Sequence, residues 1–332
     1  VGEPDPAFPR EGAITPFLVT LVVITRNRAA EVTAHAPSWF AQTHRPLQIV
    51  FVDDASTDDT PRALSALRDG APPGVEVLLV RNDRRLGIGG ARNAGIREAR
   101  GEFIAFTDDD CEGDPDWLAG LSETLRSDPG ILVAGGRVKE PPAPTLVQRA
   151  AEGLYWLGTR ERDVPAVIGC NMAYRASFLR ENPFDAGAHY GDDLDRCFSA
   201  RSLGGRVRYN PRAAVVHHHR RGLASFLGQQ VRRGKGSVWV RRKHRRGLWP
   251  RKNWVVLALL LSPALAIFTS GPLAWAVPAG LLGLLAAQVV ALDLTRGRTL
   301  STSVRMLPLS LLGYFAEFAG AVAALLCGGR QI

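Results

Sequence analysis

Apolar positions fall into two regimes along this chain of 332 residues. Through the first two thirds they form short runs, each closed by a polar cluster; near the end they become almost continuous. Phe17-Leu18-Val19-Thr20-Leu21-Val22-Val23-Ile24 predicts a buried first strand, leading into Thr25-Arg26-Asn27-Arg28 and a helix to about Phe40. Residues 47–52 predict a second strand, ended by Asp53-Asp54-Ala55-Ser56 and followed by a capped helix over 57–67. Residues 75–80 predict a third, closed by Arg81-Asn82, and Gly87-Ile88-Gly89-Gly90-Ala91-Arg92-Asn93 opens a helix to Ala99. The fourth, Phe103-Ile104-Ala105-Phe106-Thr107, stops at Asp108-Asp109-Asp110.

Strands alternating with helices predict an α/β fold, a mostly parallel sheet between helical layers. Ligands of such sheets bind beyond the carboxyl ends of the strands. Thr25, Asp53, Asp54, Asn82 and the Asp108–Asp110 triplet all fall at such ends, which marks one rim as the active one. Three adjacent carboxylates repel one another, and a hard divalent cation with oxygen ligands offsets that repulsion. The glycines at 87–90 follow the third strand; a dinucleotide fingerprint needs them after the first, so a dehydrogenase is disfavoured. They permit close approach to a nucleotide, with Arg92 at a helix start, or simply a tight turn.

Further along, residues 131–136 predict another strand, and 140–165 a loop and helix covering the site. Tyr190-Gly191-Asp192-Asp193-Leu194-Asp195 sets acids at the start of a helix over 194–203. They complement the helix dipole, or one of them is a base that takes a proton from an acceptor hydroxyl. Residues 213–216 read as a strand running into His217-His218-His219, one of which is either a metal ligand or structural.

The C-terminal apolar blocks predict three membrane helices, about 254–269, 273–292 and 306–326. Buried helices of a soluble core are the competing reading. Arg-rich sequence before the first block, and Arg296, Arg298 and Arg305 between the second and third, fall on one side of a three-span topology. Glu317 is costly in lipid and is expected to face other helices. Net charge is +9, with 17 Lys/Arg and no Asp/Glu between Arg196 and Lys252. Basic heads interleaved with Phe226, Trp239 and Trp249 predict two interfacial helices over 222–252 on an anionic membrane; the adjoining spans argue against nucleic acid. Four scattered cysteines fit a reducing compartment, and the polar first 16 residues form a flexible tail without a signal sequence. The expected location is the plasma (inner) membrane, multi-pass, with residues 17–221 as a cytosolic catalytic domain and 253–332 as a membrane domain.

Taken in order, six pieces resemble glycosyltransferase family 2, inverting enzymes of the GT-A nucleotide-diphospho-sugar transferase fold. They are Val22 to Arg28, Val52-Asp53-Asp54-Ala55-Ser56-Thr57-Asp58, Gly90-Ala91-Arg92-Asn93-Ala94-Gly95, Phe106 to Asp110, Gly169-Cys170-Asn171 and Gly191-Asp192-Asp193-Leu194-Asp195. The resemblance implies a nucleotide-diphosphate-sugar donor held by Thr25, Arg26, Asp53, Asp54, Asn82, Arg92, Asp108, Asp109 and Asn171. It implies Mg²⁺ or Mn²⁺ on Asp108 and Asp110 with His217 as a third ligand. Asp192-Asp193 stands at the family's Glu-Asp position, with Asp193 as general base and Asp192 beside it in the catalytic pair. Gln229-Gln230-Val231-Arg232-Arg233-Gly234 loosely resembles the Gln-x-x-Arg-Trp element without its Trp, adding Arg232 and Arg233 to the donor set. The implied acceptor is lipid-linked or lipophilic. A polyprenyl-phosphate monosaccharide synthase, a non-catalytic sugar-nucleotide-binding membrane subunit and a nucleotidyltransferase are the alternatives.

Overall fold

The computed structural model describes residues 17–153, 157–188, 190–219, 222–246, 256–262, 273–295 and 298–327. β1 (Val19–Thr25), β2 (Leu47–Asp53), β3 (Val75–Arg81) and β4 (Phe103–Asp108) form where the apolar runs predict them, in the parallel order β3-β2-β1-β4. Pairing places Thr25 opposite Asp53 and Ile24 opposite Asp108. The polar strand ends therefore line up as a single rim.

Beyond β4 the sheet departs from the mostly parallel expectation. β8 (Met172–Arg175) runs antiparallel between β4 and β6 (Ile131–Lys139). β9 (Arg206–His217) lies parallel to β6 and takes β5 (Cys111–Gly113) and β7 (Arg162–Asp163) as antiparallel partners. The sheet is mixed, with its parallel half where the donor motifs fall. β9 begins well before the apolar residues 213–216: Arg206 to Tyr209 alternates half-exposed and buried side chains, and the pairing with β6 carries register shifts.

Helices cover both faces. α1 (Ala29–Phe40), α2 (Thr60–Asp69) and α4 (Trp117–Arg126) bury Trp39, Leu64, Leu118 and Leu121 on one side with Leu21, Ile49 and Phe51. α3 (Gly87–Glu98), α6 (Ala176–Glu181) and α7 (Asp192–Ser202) bury Ala91, Ala94, Leu179 and Ala200 on the other, with Val22, Val52 and Phe106. Each fully buried Leu, Ile or Phe contributes about 1.5–3 kcal/mol, so two such layers hold the rim rigidly.

α5 (Leu146–Gly153) leads from β6 toward the remaining helices, α8 (Leu223–Lys243), α9 (Leu273–Thr295) and α10 (Leu300–Leu326). The basic stretch is one helix over its described residues where two were expected, and 247–252 lie outside them. α8 crosses α10 at very short range. A Cβ on Gly234 would meet the Glu317 carbonyl oxygen at 1.9 Å, and one on Gly320 the Val231 carbonyl oxygen at 2.0 Å. Ala150, Phe226 and Met306 close a small core among α5, α8 and α10. Among the described residues, two helices are long and apolar enough to cross a membrane, over Pro278–Thr295 and Leu300–Leu326. Of the first expected span only 256–262 is described, and it is helical.

Candidate active site

β4 ends in the acid triplet, and the very short β5 follows directly. β5 pairs Cys111 with His217, and the His218 amide donates to the Asp110 carbonyl at 2.9 Å. This ladder brings the late histidine beside the triplet. His217 Nε2 lies 3.1 Å from Asp110 Oδ1, and the ligand atoms of Asp108, Asp110 and His217 fall within 4.8 Å of one another. Asp110 Oδ1 is buried, with the His217 ring as its near polar neighbour. Two carboxylates and an imidazole around such an atom fit a hard or borderline divalent cation such as Mg²⁺ or Mn²⁺. Burial and the neighbouring Asp110 charge push the Asp108 carboxyl up. Asp110 sits below the usual carboxylate range, because His217 and Arg28 outweigh its burial.

Asp109, placed by sequence among the donor contacts, lines the cavity but has both carboxylate oxygens engaged by the protein. Its Oδ2 accepts from Thr25 Oγ1 at 2.7 Å, and its Oδ1 pairs with Arg28 at 3.1 Å. Burial lifts its carboxyl to about 7 despite Arg28. Arg28 also donates to Asp110 Oδ2 at 2.9 Å. Sequence reasoning gave Arg28 no role of its own, although it closes the Thr25 loop that carries part of the signature.

Arg92 is buried on α3 between the two acid groups. It pairs with Asp192, lies 3.8 Å from Asp108 Oδ1 and donates to the Gly169 carbonyl at 3.2 Å. The Phe106 and Phe184 rings flank it, with centroids 5.6 and 5.4 Å from its guanidinium carbon. Burial opposes its charge, but Asp192, Asp108 and Asp193 outweigh that and raise its pKa. Asp193 Oδ2 accepts from the Gly169 amide at 2.9 Å and Oδ1 from the Leu194 amide at 2.7 Å. Burial, then the Asp192 charge, raises the Asp193 pKa against these amides.

Asp54 lines the cavity and also organises it, Oδ1 accepting from Asn82 and the Leu86 amide, Oδ2 from the Gly87 amide, at 2.8–3.0 Å. Asp53 shapes the turn beneath, accepting from the Ser56 amide at 2.8 Å. Asn171 is wholly buried: its amide donates to the Arg137 and Ala213 carbonyls, and its oxygen accepts from Trp117 Nε1. Asp53, Asn82 and Asn171 therefore support the walls, while Thr25, Arg26, Asp54, Arg92, the acid triplet, Asp192, Asp193 and His217 line the cavity. α8 supplies Arg232, Arg233 and Arg241 to the opposite wall, and Glu317 comes from α10. Arg232 lies over the Tyr190 ring, 5.7 Å from its centroid.

Residues 20–182 match the description "Glycosyl transferase family 2", and 148–316 match "Glycosyl transferase family group 2". The succinoglycan biosynthesis protein ExoO of Rhizobium meliloti is 31% identical over 62% of this chain and 62% of its own length. The glucosyl-dolichyl phosphate glucuronosyltransferase of Haloferax volcanii is 28% identical over 60% of this chain and 68% of its own. The chain thus spans less than two thirds of ExoO. A mannosyltransferase from Pyrobaculum calidifontis, solved with GDP-Man and Mn²⁺, superposes with a TM-score of 0.61 at 24% identity, covering 93% of this chain and 86% of that one. The acid triplet at a parallel strand end, the acid pair opening α7 and these matches agree: the chain belongs to glycosyltransferase family 2 and has the GT-A fold.

Proposed function

We propose that this enzyme moves a sugar from a nucleotide-diphosphate-sugar to a lipid-linked acceptor at a membrane surface, with inversion at the anomeric carbon. The observation that carries the reading is a cavity of about 790 Å³ with two unlike walls. Asp54, Arg92, Asp108, Asp110 and Asp193 line one; Arg232, Arg233 and Glu317 line the other, brought by a basic helix and an apolar one.

Asp108, Asp110 and His217 would hold Mg²⁺ or Mn²⁺, which supplies positive charge for the departing diphosphate. Thr25, Arg26 and Asp54 would take the base and ribose. Arg92 keeps Asp192 and Asp108 apart in charge and fixed in space, and so aligns the acid pair with the donor corner. Asp193 would accept the acceptor hydroxyl proton; its two amide contacts fix the carboxylate plane, and burial brings its basicity nearer neutrality.

Several features support a membrane acceptor. Leu284, Leu294, Leu300 and Leu312 are exposed on α9 and α10, as lipid-facing positions are. Arg298 pairs with Asp293 at 2.9 Å and with Glu140 at 2.7 Å, tying the α9–α10 turn to the catalytic domain. That turn and α8 would face the cytosolic leaflet of a plasma membrane crossed more than once. A lipid-borne phosphate would meet Arg232 and Arg233. The Haloferax relative, named for a dolichyl phosphate substrate, supports an acceptor of this class.

The test is turnover by detergent-purified protein with Mn²⁺ and a panel of nucleotide sugars, given polyprenyl phosphate or a polyprenyl-linked sugar. Nucleoside diphosphate released with a heavier lipid by mass spectrometry is the expected result. Product from bare polyprenyl phosphate alone would make it a monosaccharide synthase. Pyrophosphate release, or transfer only to water-soluble acceptors, would overturn the reading.

A further inference from the structure

We infer that His35, Glu112 and His218 form a second metal site, separate from Asp108, Asp110 and His217, that takes a borderline transition-metal ion of the zinc class. His35 comes from α1, Glu112 from β5, and His218 directly follows β9. Glu112 and His218 are diagonal neighbours on the β5–β9 ladder, in which Cys111 pairs with His217 and Glu112 with Val216. His218 Nε2 lies 3.1 Å from Glu112 Oε1 and His35 Nε2 3.9 Å from the same oxygen. The rings stand 4.8 Å apart at 36°, and the three ligand atoms fall within 4.8 Å of one another.

Hydrogen bonding selects the ligand atoms. His35 Nδ1 is 3.0 Å from the Asp109 carbonyl oxygen, which only accepts, so that nitrogen carries the hydrogen. In that tautomer Nε2 is the ring nitrogen left to bind a metal, and it faces the Glu112 carboxylate. Metal-binding imidazoles are oriented in this way, with the second ring nitrogen donating to a carbonyl. His218 Nε2 faces the same carboxylate oxygen at 3.1 Å and has no other hydrogen-bond partner. A cation among the three atoms would be held by both imidazoles and the carboxylate at once. Two imidazoles and one carboxylate suit zinc and its neighbours, and Glu112, 45% exposed in its side chain, leaves a solvent path and an open position. The ion would pin α1 to β5, which directly follows Asp110, and to the end of β9, which carries His217. It does not depend on what donor or acceptor the enzyme uses.

Zinc per chain, measured by atomic emission after dialysis of the full-length protein in detergent, tests this. His35→Ala and His218→Ala should each hold one zinc fewer than wild type. Cys170→Ser should hold as many as wild type; it alters the other buried group with zinc-binding chemistry, Cys111, Cys170 and His217. Glu112→Gln, a change at a half-exposed side chain, should weaken zinc about tenfold or more, and zinc should raise the melting temperature of wild type but less so that of His218→Ala. Equal zinc in wild type and His35→Ala, a loss confined to Cys170→Ser, or no stoichiometric zinc in wild type would each overturn the site. If His35→Ala does not fold, unchanged zinc affinity in Glu112→Gln overturns it instead.

Discussion

Two backbone amides bind the Asp193 carboxylate, and yet burial and Asp192 hold its pKa above the ordinary carboxylate range. A base must be unprotonated to act, so the acidic limb of kcat/KM should lie above that range, with activity rising as pH climbs through it. Asp193→Asn should lower kcat by about 10²–10⁴-fold with donor affinity nearly intact, measured by single-turnover kinetics and donor titration. Comparable loss of donor binding would assign Asp193 to the donor instead. Asp110→Ala should remove the Mn²⁺ dependence of donor binding; identical calorimetric titrations with Mn²⁺ and with chelator would defeat the metal assignment. At this scale the sequence was half informative. The positions of Asp54 and Asp108 were legible from where apolar runs stop, and that of Asp193 from the acids that open a helix. That Asn171 and Asp109 spend their polar atoms inside the protein was not, because a motif names residues without saying which way they turn.

The parallel strands β1, β2 and β4 could be read from their apolar runs, since strands buried on both faces carry no alternation to confuse with helix. β5 and β8 could not: three and four residues give no period, and their pairing is set by strands far away in sequence. β5 nevertheless brings His217 to Asp110. A second silent link joins α7 to α8. Asp195, fully buried, takes Lys243 Nζ at 3.0 Å, His244 Nε2 at 2.7 Å and Arg196 at 2.7 Å. Burial would raise its pKa, but Arg196, His244 and Lys243 win and lower it. Its contribution to stability is therefore present above the ordinary carboxylate pKa and is lost as pH falls through the depressed value. Asp195→Asn should cost roughly 3 kcal/mol near neutrality, read by chemical denaturation, with a smaller penalty in acid.

Over the whole molecule, the C-terminal helices pack onto the domain that carries the acid triplet and share its cavity. α8 and α10 touch backbone to backbone at Gly234 and Gly320, and Arg298 clasps the α9–α10 turn to Glu140. Gly320→Val must push the helices apart, since its side chain would start 2.0 Å from the Val231 carbonyl oxygen. Activity with lipid acceptor should fall at least tenfold while donor affinity stays within about twofold, the donor corner being built on the distant β4 rim. Unchanged transfer would mean that the crossing is dispensable. The apolar blocks were plain in the sequence, but their docking was not: glycine in an apolar helix signals close packing only when the partner is known.

Glu317 adds a last consequence. It reaches the cavity from an apolar helix, so shortening the chain to make it easier to purify would do more than free it from the bilayer. Such a fragment would have a vessel open on one flank, with solvent beside Arg232 and Arg233 and a bare glycine seam inviting aggregation. It should still take up sugar nucleotide, and it should lose that sugar to water rather than to lipid.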